Sequence, residues 1–199
     1  MATSVARRAE YAEATRRGLL DAARELFAAD GYVDVSIDEI CRRARVTKGA
    51  LYHHFKDKRD LFAAVFEEVE REWADELAEL VAEERDPLER IQIVGDAFLD
   101  ACLDPARQRI MLLDGPSVVM WEELRQIDAG RGFGLIATLL TDAMDTGQLE
   151  PQPVGPLAHL MLGAMHEASL AIARDKDPVR ARKRIGAALN RLVQGLAPR

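Results

Sequence analysis

Thr47-Lys48-Gly49-Ala50-Leu51-Tyr52-His53-His54-Phe55 decides how the rest of the chain is read. Wound as a helix at ~100° per residue, it puts Leu51 and Phe55 on one side, where a core would take them. Gly49, Ala50 and His53 fall on the other side, with Lys48 and Tyr52 on one flank and His54 on the opposite flank. An ordinary surface helix carries long charged residues outward, and glycine costs a helix ~1 kcal/mol relative to alanine. Small outermost residues make sense where something large must approach the backbone, and a DNA major groove just admits a helix. A short core helix with an indifferent outer face is the other reading of this segment taken alone.

The residues before it favour the first reading. Ser36-Ile37-Asp38-Glu39 has the form of a capping box, Ser36 bonding forward and Glu39 reaching back, so a helix starts there. Ile37, Ile40, Cys41 and Ala44 give that helix one narrow buried stripe. Arg45-Val46 then makes a tight turn, and Thr47 caps the next helix. Two short helices joined this way, the second small and basic on its outer edge, predict a helix-turn-helix. An earlier helix, from about Thr15 to Asp30, supplies the third wall through Leu19, Leu20, Ala23, Leu26 and Phe27, and Gly31 ends it as a left-handed cap. Residues 1 to about 9, with Arg7 and Arg8, read as a flexible basic arm.

The pattern Ser36-(x)3-Ile40-(x)3-Ala44-x-Val46-Thr47-Lys48-Gly49-Ala50-Leu51-Tyr52-x-His54-Phe55-Lys56-x-Lys58-(x)2-Leu61 resembles the DNA-binding signature of TetR-family transcriptional regulators. With the preceding helix, the resemblance covers about a third of the chain. One position departs from it: the family usually has glycine where Arg45 stands, at a turn that often adopts positive φ, where a side chain costs ~1 kcal/mol. The resemblance implies double-stranded operator DNA as partner. Ser36, Thr47, Lys48, Tyr52, His53, His54 and Lys58 are expected to hold phosphates. Gly49, Ala50 and His53, with Lys48, are expected to meet bases, and Arg45 to add a cation near the DNA backbone.

Charge is divided in the same way. The whole chain is acidic, with a net charge of −7. Residues 1–60 hold 12 Lys+Arg against 10 Asp+Glu, and Arg42–Arg59 contains seven bases and one acid, Asp57. A local basic footprint is what phosphate neutralisation needs. The two cysteines, Cys41 and Cys102, fall in separate helical units and read as buried thiols in a reducing cytoplasm, with a redox switch through Cys102 as the alternative. Met1 to Arg17 is polar, without the apolar run of a secretory leader. Pro156 to Ala173 is the most apolar long segment, but His159, His166 and Glu167 interrupt it, so no membrane span is expected.

Asp57 caps a long helix running to about Glu84, with Phe62, Val65, Phe66, Val69, Trp73, Leu77 and Leu80 as its stripe. At ~1.5 Å per residue it is too long for the N-terminal unit alone and must be shared with the second half of the chain. Asp86-Pro87, Asp104-Pro105 and Asp177-Pro178 each pair an acidic cap with proline at the first helical position, and Gly115-Pro116 and Gly155-Pro156 are further breaks. Helices are expected at about 87–102, 105–112, 116–128, 133–146, 156–174 and 178–196. Gly130, Gly132 and Gly134 mark a turn or a hinge beside a pocket. The fold class is all-α: residues 1–60 form a three-helix DNA-binding module, joined by the long helix to a helical ligand-binding and dimerisation domain over 61–199.

Two further surfaces are expected in that domain. Leu157, Leu160, Met161, Ala164 and Ala168 line one of the last two helices, and Ile185, Ala188, Leu189, Leu192 and Leu196 line the other. They cover either their own domain or a second copy in a four-helix bundle, which is how dimers of the resembled family form. Phe98, Met111, Met120, Trp121, Phe133, Met165 and His166 are candidates for an apolar small-molecule pocket, or for ordinary core. The run Ile110–Pro116 through Trp121, with Pro156–Leu160, is similar to a C-terminal subtype of the same family. His159 and His166 lack the spacing and third ligand of a metal site, and no nucleophile triad or phosphate loop appears, so neither cofactor nor enzyme activity is expected. The expected function is a homodimeric cytoplasmic regulator, a repressor released from a palindromic operator by a small apolar effector. The alternative is a helical lipophilic-ligand-binding protein or enzyme without operator binding.

Overall fold

A computed structural model describes residues 2–119 and 132–198, without the side chains of residues 2–6 and 8. All regular structure among the described residues is helical. Helices α1 (Ala2–Asp30), α2 (Ile37–Ala44) and α3 (Lys48–His54) make the N-terminal module, and α4 (Lys58–Leu80) leads out of it. Beyond it lie α5 (Pro87–Ala101), α6 (Pro105–Arg107), a π-helical turn (Gln108–Asp114), α7 (Gly115–Val118), α8 (Gly132–Asp145), α9 (Val154–Arg174) and α10 (Pro178–Gln194).

Two expectations need correction. The basic arm is helical: α1 starts at Ala2, because the stretch to Ala14 is rich in Ala, Arg and Glu and contains no breaker. Gly115-Pro116 does not break the chain either, since Gly115 keeps right-handed helical geometry. Proline removes one backbone donor and crowds the carbonyl four residues back. The turn before it widens to π register over Gln108–Asp114. Of the glycine cluster, Gly132 opens α8 and Gly134 lies within it, while Gly130 is outside the described residues.

One continuous apolar core runs through both halves. In the module, Leu19, Ala23, Phe27, Ile40, Leu51 and Phe55 close around the start of α4. Phe62 of α4 is fully buried and meets Phe27 and Tyr32 with ring centroids 5.1 and 5.2 Å away. Arg17–Glu68 and Arg24–Glu72, both 2.7 Å, tie α1 along α4. A second bridge reaches the module from the π turn. Arg109 Nη2 donates to Asp30 O at 3.0 Å, and Tyr32 N donates to Asp114 Oδ2 at 2.8 Å. Gly31 sits between them at φ 83°, and a Cβ there would lie 2.3 Å from the Arg109 guanidinium. Arg59 Nε, at the start of α4, donates to Val118 O at 3.0 Å.

The far half is held by α5 against α10. Arg182 donates to the Asp100 carboxylate at 2.6 Å and to Asp96 O at 2.9 Å. Cys102 closes α5 with its thiol donating to Phe98 O at 3.2 Å, and burial pushes its pKa up to about 12. A thiol in that state is not a nucleophile near neutrality. Cys102 is therefore expected to ignore an aromatic disulfide reagent at pH 7 until denaturant unfolds the chain; rapid labelling of the folded protein would favour the redox alternative. The sign for stability comes from the same shift: the unfolded thiol ionises first, so its contribution is complete below about pH 9 and is lost as pH rises towards 12.

Candidate nucleic-acid interface

The turn between α2 and α3 is built by three local contacts. Ser36 Oγ accepts from Glu39 N and Thr47 Oγ1 from Ala50 N, each at 3.2 Å, fixing where both helices begin. Arg45 ends α2 at φ 58°, ψ 39°, the left-handed conformation, with Val46 N donating to Cys41 O at 3.0 Å. It is a non-glycine residue at positive φ, so Arg45→Gly is expected to raise stability by about 0.5–1 kcal/mol, read as a melting-temperature increase of a few degrees. The capping box is only half formed. Glu39 Oε1 accepts from Arg42 at 3.2 Å instead of reaching back along the chain.

Leu51 and Phe55 are buried, as the helical phase of α3 requires. Its opposite edge is open: Lys48, Gly49, Tyr52 and His53 are exposed, while Ala50 and His54 are partly covered. Ser36, Thr47 and Arg45 are exposed beside it. A Cβ added at Gly49 would touch only Thr47 Oγ1, at 3.8 Å. Nothing inside the protein therefore demands glycine there. The His53 and His54 rings meet edge to face at 5.3 Å.

Lys58 behaves differently from the rest of the expected set. Its Nζ donates to Tyr32 O at 2.7 Å and Val35 O at 2.9 Å, and lies 4.3 Å from the Tyr32 ring centroid. It is a strut across the α1–α2 loop, and its charge is spent on carbonyls and a π face. Three of the seven bases in Arg42–Arg59 are ion-paired within the module: Arg42 with Glu39, Arg43 with Glu25, and Lys48 with Asp38 at 2.7 Å. Sequence reasoning missed Asp38, although an acid in the first turn of α2 had to lie near the start of α3 once the two helices were folded together.

In the second half, a cavity of about 20 Å³ lies between α5, α8, α9 and α10, lined by Ile91, Val94, Leu139, Leu140, Met161, Met165 and Leu189, with Asn190 as a polar group. Room for about one water is not room for an effector. Of the pocket candidates, Met165 lines it. Phe98 instead stacks on Trp73, centroids 4.4 Å apart, Met111 is core, and Phe133 packs on the His159 ring. His166 is exposed on α9 and does not line the cavity. Met120 and Trp121 lie outside the described residues.

The paired helices divide into two faces. Leu157 and Leu189 are buried within the protomer, and Met161 turns to the cavity with Leu189. These three are corrections to the expected dimer face, because Leu157 and Leu189 are taken up by the protomer's own core and Met161 by its cavity. Leu160 and Leu192 are 71% and 63% exposed. Ala164 and Ala188 are also exposed, while Ala168, Ile185 and Leu196 are partly covered.

A helix-turn-helix with a small-edged second helix, carried on a larger helical domain, defines a DNA-binding regulator of transcription. Residues 19–65 match the profile of the bacterial regulatory proteins of the tetR family, and residues 88–196 match the tetracyclin repressor-like C-terminal domain. The chain belongs to the TetR family. It is 36% identical over 152 residues to the HTH-type transcriptional regulator UidR of Escherichia coli K12, covering 70% of this chain and 71% of that one. A TetR-family regulator of Pectobacterium atrosepticum superposes with a TM-score of 0.83 at 32% identity, over 96% of this chain and 97% of the other. FadR of Bacillus subtilis, solved with stearoyl-CoA, shares the fold at 20% identity, with a TM-score of 0.72 over 87% and 96% of the two chains. Regulators of this family bind operator DNA, dimerise and bind small molecules, and the relatives are regulators of transcription, not enzymes.

Proposed function

We propose that α3 is the reading helix of a homodimeric repressor. Gly49, Ala50 and His53 face base edges, while Lys48, Tyr52, Arg45 and the Ser36 and Thr47 hydroxyls hold phosphates. Each capping hydroxyl accepts a backbone N–H and still has its own O–H to donate. The module is taken as residues 1–60 and the effector and dimer domain as 61–199, with α4 common to both. The observation that carries the reading is Gly49: its small size serves no contact inside the protein, so it serves one outside.

Dimerisation is assigned to Leu160, Ala164, Ala168, Ile185, Ala188 and Leu192 of α9 and α10, with Leu196 just beyond α10. A two-fold pair sets two reading helices one DNA turn, or a multiple of it, apart, and the operator is then an inverted repeat. The effector is a small apolar molecule. FadR, which shares this fold, is solved in complex with stearoyl-CoA; the effector of this chain is assigned to the cavity at Met161 and Met165, which must widen to take it. The protein acts in the cytoplasm, where its operator is.

Sequencing the DNA that co-purifies with the protein tests this directly. Enrichment of one inverted repeat, bound with a steep salt dependence, is the expected result. Random fragments with no shared repeat would reject the dimeric operator reading.

A further inference from the structure

Lys48 is the first residue of α3 and Asp38 the second of α2, and the turn through Arg45 brings these two helix starts together. The Lys48 ammonium rests on Asp38 Oδ1 at 2.7 Å. Both side chains stay open to water, 55% and 72% exposed. The hydrogen bond to Asp38, then its charge, raises the Lys48 pKa, and a lysine is a cation near neutral pH with or without that pair. A carboxylate at the edge that must meet phosphates repels them, which makes its presence there a question about DNA.

We propose that Asp38 is a specificity-determining residue: it holds Lys48 out of non-specific DNA complexes and releases it only when the operator places a phosphate in register. The inference rests on α3 as the reading helix. An exposed pair of this kind is worth at most about fivefold in an equilibrium. A loosely placed, water-separated phosphate does not outbid it, whereas a phosphate fixed within hydrogen-bond reach does. The same lysine is therefore silent on random sequence and active on the operator. Its contribution appears in the salt dependence, since each neutralised phosphate adds about 0.9 to the slope of log affinity against log salt.

The test is D38N, with D38S as a second variant, each alone and combined with K48M. Binding is titrated against salt on a mixed-sequence duplex and on the co-purifying operator fragment. On the mixed duplex, D38N is expected to steepen the slope by about one and to raise affinity two- to fivefold at low salt. On the operator the slope stays as it was. With K48M present, D38N moves the mixed-duplex slope by far less than one, what is left being the lost repulsion of the carboxylate itself. An unchanged mixed-duplex slope in D38N, or a full-sized change that survives K48M, would overturn the proposal. A D38N protein that loses operator affinity and changes base preference would also overturn it, making Asp38 a direct reader. Absence of any DNA affinity in the wild type would instead remove the assignment of α3.

Discussion

Gly49→Glu is expected to leave the protein at least as stable as wild type while lowering operator affinity by at least about a hundredfold, or ~2.8 kcal/mol. The two effects have opposite signs because they arise on opposite sides of one backbone. Inside the protein, the nearest obstacle to a new Cβ is Thr47 Oγ1 at 3.8 Å, so the side chain has somewhere to go. Removing glycine from a helix interior gains up to ~1 kcal/mol, and a smaller gain is expected in the first turn, where Gly49 lies. The first turn of α3 carries no acid, so a carboxylate there also meets the positive end of the helix dipole favourably. Outside the protein, the same carboxylate would stand where α3 enters the groove, too long for the gap and repelled by phosphates. Melting curves and anisotropy titrations on one preparation measure both quantities. Gly49→Ala should show the same divergence on a smaller scale. Wild-type affinity in Gly49→Glu would mean that α3 lies elsewhere than in the groove.

Lys58 would have been a poor choice for that experiment, and the reason shows what a sequence conveys. Caps, the Gly31 stop and the proline-led helix starts were legible because each depends on residues within a few positions. Ser36, Thr47, Asp57, Asp86, Asp104 and Asp177 all accept the backbone bonds that their positions imply. Lys58 reads as one more cation beside a DNA signature. Its partners, the carbonyls of Tyr32 and Val35, come from a loop more than twenty residues earlier. Truncating it would unlace the α1–α2 loop, and lost DNA binding would then say nothing about phosphates. The same limit hid the Arg109–Asp114 bridge to Asp30 and Tyr32, which joins the effector domain to the module in parallel with α4. The π turn is thus hydrogen-bonded to the end of α1, so the two halves are joined by more than the shared helix α4.

Leu160→Asp combined with Leu192→Asp is expected to give a folded monomer of about 22.1 kDa with at least a hundredfold weaker operator binding. α9 is apolar nearly all round, and periodicity alone cannot say which stripe faces the protomer's own core. Burial separates them: Leu157 and Leu189 are 8% and 6% exposed, whereas Leu160 and Leu192 remain open. Aspartate at the open positions costs the protomer little, because water already reaches them. In a two-fold contact built on these residues, the new carboxylates of both copies lie in one interface without a compensating charge and interrupt its apolar surface. Leu157→Asp is the counterpart control, since a carboxylate buried in the protomer's core should unfold the domain before it affects assembly. Sedimentation equilibrium with circular dichroism distinguishes the two results. A Leu160→Asp, Leu192→Asp protein that still sediments as a dimer would place the two-fold contact on another face. Losing dimerisation while keeping full operator affinity would separate assembly from recognition, because one reading helix would then be enough to hold the site.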